Sequence, residues 1–181
     1  MEKVDERNSV LKVVVTGPES TGKSALCVLL AKHFKTSFVP EYARDYLLQK
    51  EGVYTREDLI IIAEGQIKSE EEYLQNNKDL LICDTSLEVI RVWSEWKYGS
   101  CDKFILDNAR ARTPDLFLLM TPDLPWEPDP QRENPHDRDE LFAYYQKILR
   151  EYDAEVVEIS GDGKERIISA INAIEAISED Y

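Results

Sequence analysis

The stretch GPESTGKS, residues 17–24, limits what this chain can fold into more than any other feature. It lies between the apolar run LKVVVT (11–16) and the helix-periodic segment ALCVLLAKHF, and it matches G-x-x-x-x-G-K-[ST]. In that setting the pattern describes a loop whose backbone N–H groups close around phosphate. Glycine permits the left-handed turns, the helix beginning near Lys23 adds its positive dipole end, Lys23 reaches the outer phosphates, and the Ser24 hydroxyl coordinates Mg2+. The nucleotide contacts expected are Gly17, Glu19, Ser20, Thr21, Gly22, Lys23, Ser24 and Ala25, with ATP and Mg2+ as cofactors.

The rest of the chain alternates in the way such a loop requires. Apolar runs at 11–16, 36–39, 79–84, 115–120 and 155–160 are separated by segments of helical period at 22–35, 41–50, 56–77, 86–98, 101–112, 136–152 and 164–177. Alternation of this kind predicts right-handed crossovers and a parallel sheet covered on both faces. Runs such as KVVVT and LLIC suit that burial. A second, acidic anchor for the metal is expected at the end of a neighbouring strand, and LLICDTS supplies Asp84. A plain helix N-cap is the competing role for that residue. Because this acidic strand is third in the chain and neighbours the first, the predicted fold class is an α/β P-loop kinase-type three-layer fold with five parallel strands in the order 2-3-1-4-5.

Length predicts one domain over residues 1–181, with 1–10 an unstructured start and 121–137 a lid. That last stretch carries five of the eight prolines, and a long irregular loop inside a compact domain is usually functional or disordered. With 36 acidic against 22 basic residues and a net charge of -14, the long-range field repels nucleic acid and anionic membranes. Any anion site must be built locally. Cys27, Cys83 and Cys101 show no paired spacing, and neither a signal core nor a membrane-length apolar run is present, so a reducing, cytoplasmic setting is expected. The oligomeric state is not legible.

The phosphate loop leaves open transfer, switching and mechanical work. A guanine reader N-K-x-D is missing: NKDL at 77–80 ends in Leu80 and precedes the acidic strand, and position 87 is Leu where a GTPase needs Gly. A small-molecule kinase needs a carboxylate near the attacking hydroxyl and cations over the transferring phosphoryl group. In VPEYARDY, Pro40 ends the second strand and places Glu41 at its carboxyl end, where open α/β sheets bind ligands. Arg44 follows at i+3. A helix N-terminus with a surface ion pair explains the same pattern equally well. Arg132 and Arg138 fall in or beside the lid, Arg138 reading as a surface residue between two aspartates. Trp93 and Trp96 read as core, and Trp126 stands between core and ligand platform.

Together GPESTGKS, VPEYARDYL, DLLICDTS, VWSEWKYG and PWEPDPQR resemble, in order and spacing, the ribosylnicotinamide kinase domain of the bifunctional NAD-biosynthesis regulator family, over about residues 11–175. The resemblance implies phosphorylation of nicotinamide riboside at its 5′-hydroxyl by ATP and Mg2+, giving nicotinamide mononucleotide; the acidic charge balance adds the expectation of no nucleic-acid or membrane partner. Carried onto this chain, it faces the riboside with Glu41 and Arg44, puts Asp84 at the metal and reacting centre, and places Asp129 and Arg132 in the lid. With the residue reading beside it, the expected catalytic residues are Glu41, Asp84, Lys23 and Arg132, the metal ligands Ser24 and Asp84, and the substrate contacts Glu41, Tyr42, Arg44, Trp93, Trp126 and Asp129. Two departures are specific: Ser86 stands where the family often has a second aspartate, and Pro40 where an aromatic stacks on the ring. No H-x-G-H motif is present and no helix-turn-helix unit precedes the first strand, so neither dinucleotide synthesis nor operator binding is expected. The alternatives are a kinase of another nucleoside or ring-bearing vitamin, and a non-kinase ATP-sensing regulatory module.

Overall fold

A computed structural model describes residues 10–76 and 79–179. The unstructured start expected at 1–10 therefore falls, but for Val10, outside the described residues, as do Asn77 and Lys78 of the NKDL string. Five strands, β1 (Leu11–Thr16), β2 (Phe38–Val39), β3 (Leu80–Asp84), β4 (Leu116–Met120) and β5 (Glu155–Ile159), form one parallel sheet in the order β2-β3-β1-β4-β5. The predicted order is the observed one. Seven helices connect them: α1 (Lys23–Phe34), α2 (Tyr42–Gln49), α3 (Arg56–Asn76), α4 (Leu87–Tyr98), α5 (Lys103–Ala111), α6 (Arg138–Leu149) and α7 (Gly163–Ser178).

The two faces of β1 show how the layers arise. Its side chains alternate, so Val13 and Val15 join Leu26, Leu30, Ala170 and Ile174 from α1 and α7, while Val14 joins Leu59, Ile62, Leu87, Ile90 and Leu149 from the helices on the other face. Burial of both faces accounts for the unbroken apolar character of β3 and β4. By contrast β5 is an edge strand with Glu155, Val156 and Glu158 exposed. Register sets the site, because Val15 pairs with Asp84 and brings the carboxyl end of β3 beside the loop that follows β1. Among the described residues no helix is long and apolar enough to cross a membrane.

Candidate functional site

The loop after β1 is tightly specified. Gly17 has φ 128°, and a Cβ there would stand 2.8 Å from the Met120 carbonyl oxygen, so both conformation and close approach demand glycine. The Lys23 ammonium folds back on its own loop, donating to the carbonyls of Gly17 at 2.9 Å and Pro18 at 2.6 Å. Burial pulls its pKa below the ordinary lysine value, against the opposing pull of Glu41 and Asp84. Thr21 ties the loop internally through a 2.8 Å bond to the Pro18 carbonyl. Buried Arg166 braces it from α7, donating to the carbonyls of Thr21 at 2.8 Å and Gly161 at 2.6 Å.

Two strand ends aim carboxylates at this loop. Glu41 stands at the N-cap position of α2 in extended conformation, yet its side chain makes no capping bond. It is thus left for another use. Burial pushes its pKa up to about 7, Asp84 reinforcing the shift while Lys23 and Arg44 oppose it. Asp84, at the end of β3, is also raised by burial and held back by a hydrogen bond from Ser24. Its Oδ1 is buried with no hydrogen-bond partner among the described residues. A buried carboxylate oxygen left unmatched beside the Ser24 hydroxyl is the oxygen donor set that Mg2+ takes, so these residues fit the ion.

A polar cluster behind β3 holds this arrangement in place. Gln66 of α3 accepts from the Tyr42 amide at 3.1 Å and donates to the Thr85 carbonyl at 3.4 Å, linking the residue after Glu41 to the residue after Asp84. Ser86 donates to Glu70 at 2.5 Å, and Glu70 takes Lys12 of β1 at 2.7 Å. The Ser86 amide donates to Glu88, whose pKa burial pushes up to about 7. An aspartate at position 86 would add a third carboxylate to Glu70 and Glu88, which gives the family departure a physical reason.

One cavity of about 760 Å³ joins these parts. Residues 17, 19–25, 41 and 44 form one end; Tyr54, Ile90, Trp93, Trp96 and Tyr145 form an apolar and aromatic end; loop residues between 124 and 134, in the stretch expected to be a lid, complete the lining. The lid is tied down on two sides. Asp129 pairs with Arg44 at 2.6 Å, Glu127 N–H donates to the Ser20 hydroxyl at 2.8 Å, and Arg132 reaches the same hydroxyl at 3.4 Å. Glu19, Asp84, Arg44, Asp129, Trp93 and Arg132 are thus brought together around a common space, Asp84 lying buried beneath it.

Four expectations need correction. Trp96, expected in the core, is exposed and lines the aromatic end of the cavity. Tyr42 packs its ring on α3, where a Cβ on Gly65 would come within 2.1 Å of it, and it does not line the cavity. Trp126 stands 5.9 Å from the Arg132 guanidinium and 5.8 Å from that of Arg138, so it serves these cations and takes no place in the cavity wall. Arg138 is not a free surface residue: it donates to the carbonyls of Leu124 at 2.9 Å and Ser20 at 3.2 Å. Sequence reasoning also missed Tyr54, Gln66, Glu70 and Lys12. Only Lys12 left a local sign, a cation inside an apolar strand.

The comparisons with known proteins agree with this architecture. A family model described as an AAA domain (AAA_28) matches residues 12–166. No curated protein matches the chain in sequence. Among solved structures, NadR in complex with NR superposes with a TM-score of 0.73 at 22% identity, covering 94% of this chain, and NadR with NAD and AMP-PNP gives 0.72. This chain spans 50% of the length of those NadR chains. Thymidylate kinase from Candida albicans follows with 0.62 at 13% identity, over 94% of this chain and 93% of its own. Likeness at these identities speaks for the fold, a P-loop kinase fold, and the sequence match over most of the chain places it in the AAA-domain family AAA_28.

Proposed function

We propose that this chain transfers the γ-phosphoryl group of ATP to a nucleoside hydroxyl, nicotinamide riboside being the acceptor and nicotinamide mononucleotide the product. The observation that carries the reading is Glu41: a carboxylate at a strand end, free of any capping duty, its pKa raised to about 7, in the same cavity as Lys23 and the lid arginine Arg132. A base with that affinity accepts a proton near neutral pH. In the reaction the acceptor O–H gives its proton to Glu41 as the oxygen forms a bond to the γ-phosphorus. The bond from that phosphorus to the bridging oxygen breaks, and ADP leaves with the electron pair. Lys23 and Arg132 neutralise the transferring group, while the lid excludes water. Ser24 and Asp84 would hold Mg2+, whose contribution when bound is to offset charge on the outer phosphates.

The charge of the cavity favours an unphosphorylated acceptor. Its cations are Lys23, Arg44 and Arg132, the first and last beside the phosphate loop and Arg44 already paired with Asp129. Glu19, Glu41, Glu127, Asp129 and Glu133 outnumber them. A monophosphate on the acceptor would find no unpaired cation at the aromatic end, whereas a planar, uncharged or cationic ring suits Trp93 and Tyr54. The fold shared with NadR, solved in complex with NR, supports the same choice. ADP release from Mg·ATP is expected to rise strongly on adding nicotinamide riboside, with the mononucleotide detected by mass. Riboside-independent release, or no mononucleotide, would exclude this acceptor and leave another nucleoside or a regulatory ATPase in its place.

A further inference from the structure

The aromatic end of the cavity is connected to the phosphate loop through one lid residue. The Trp93 indole N–H donates to the Tyr54 hydroxyl at 2.8 Å, and that hydroxyl donates to the Glu133 carboxylate at 2.8 Å. Lys97 lies against both, donating to the Tyr54 hydroxyl and to Glu133 at 3.1 Å. On its other side the Glu133 amide donates to the Glu19 carboxylate at 3.1 Å, and the Asn134 amide does so at 2.9 Å. Tyr54 and Trp93 meet edge to face with centroids 4.7 Å apart, so a planar ligand that fixes one ring restricts the other.

We propose that Glu133 is a positioning residue that couples acceptor binding to nucleotide binding, its carboxylate held by Tyr54 of the acceptor wall and by Lys97 behind that wall, and its amide held by Glu19 of the phosphate loop. The proposal rests on the phosphotransfer reading and deepens it. Each of these contacts is weak alone, because the Lys97 and Glu133 side chains remain 37% and 45% exposed. Their force lies in shared ordering: the first ligand to settle the lid relieves the second of that entropic cost. Coupling of this kind is reciprocal, so riboside tightens nucleotide binding by the factor with which nucleotide tightens riboside binding.

The test is a thermodynamic cycle by calorimetry, measuring a non-hydrolysable ATP analogue with Mg2+ in the absence and presence of nicotinamide riboside, and the converse. The coupling is expected to be roughly five-fold or more in the wild type and to fall towards one in Glu133→Ala and Tyr54→Phe. Lys97→Met, which lies outside the cavity wall, should weaken the coupling too. A general loosening of the fold would shift the separate affinities or the melting temperature without abolishing their ratio. Riboside turnover without coupling in the wild type, or coupling retained in all three variants, would overturn the proposal and leave the acceptor assignment standing. No riboside binding or turnover in the wild type would overturn both.

Discussion

Two pairs of carboxylates flank the end of β3, Glu70, Glu88 and Asp84 buried and Glu41 half-buried, and they differ in what surrounds them. Glu70 and Glu88 lie behind the strand among protein partners: Lys12, Gln66 and Ser86 surround Glu70, and the Ser86 amide bonds Glu88. Glu41 and Asp84 lie towards the cavity, one without a capping bond and the other with an orphaned oxygen. Desolvation raises the pKa of Glu88 in one pair and of Glu41 and Asp84 in the other, so a raised pKa alone says little about chemistry. The difference is whether the fold supplies the partners or leaves them to a ligand.

Substitutions can break this contrast. The largest effect is expected at the cavity pair: Glu41→Gln should lower kcat by about 10²–10⁴-fold while leaving binding of an ATP analogue nearly intact. Equal loss of both, in paired turnover and calorimetric measurements, would make Glu41 structural and dissolve the contrast. The structural pair should respond in stability instead. Lys12→Met strands Glu70 in the interior and should cost about 3–5 kcal/mol in urea unfolding, and Glu70→Gln in the same chain should restore much of it. A variant as stable as the wild type would mean that Glu70 finds other partners.

A smaller effect concerns Glu88 and pH. Its carboxyl titrates near 7 in the folded state against an ordinary value of 4.5, so between those values the folded protein keeps a proton that the unfolded chain has released. This residue therefore adds stability that is complete below pH 4.5 and is lost as pH rises through 7. Glu88→Gln should be more stable than the wild type at pH 8 by about 3 kcal/mol and little different at pH 4. Unfolding midpoints at the two pH values check this, and a difference that does not change with pH would mean that the Ser86 amide and its neighbours fully offset the burial of the Glu88 charge.

What could be read beforehand follows the same division. The phosphate loop is local, its glycines, lysine and serine being adjacent in the chain, and the strand order followed from one acidic strand end. The position of Glu41 just past β2 is legible because Pro40 marks the end of that strand. The polar cluster was harder to read: Gln66 and Glu70 continue the helical stripe of Leu59, Ile62 and Ala63, but as polar residues among Glu64, Lys68, Glu71 and Glu72 they look like its solvent-facing end. Tyr54 and Glu133 are 79 positions apart, a separation over which no periodicity carries information. Arg138 looked like surface because Asp137 and Asp139 flank it; that the first turn of α6 meets Ser20 is a fact of packing.

The bonds of Lys23 to the carbonyls of Gly17 and Pro18 bear on discrimination between anions. Its ammonium is already a bound cation, with the loop's own oxygens as resident counter-ligands. Entry of a polyphosphate is then an exchange, in which the newcomer must displace two carbonyls from a site that burial has already made less hospitable to charge. A chain of phosphates, engaging the loop amides and the helix terminus together, gains more from that exchange than a singly charged anion does. The carbonyls of Gly17 and Pro18 therefore weigh most against the anions that bring the least charge.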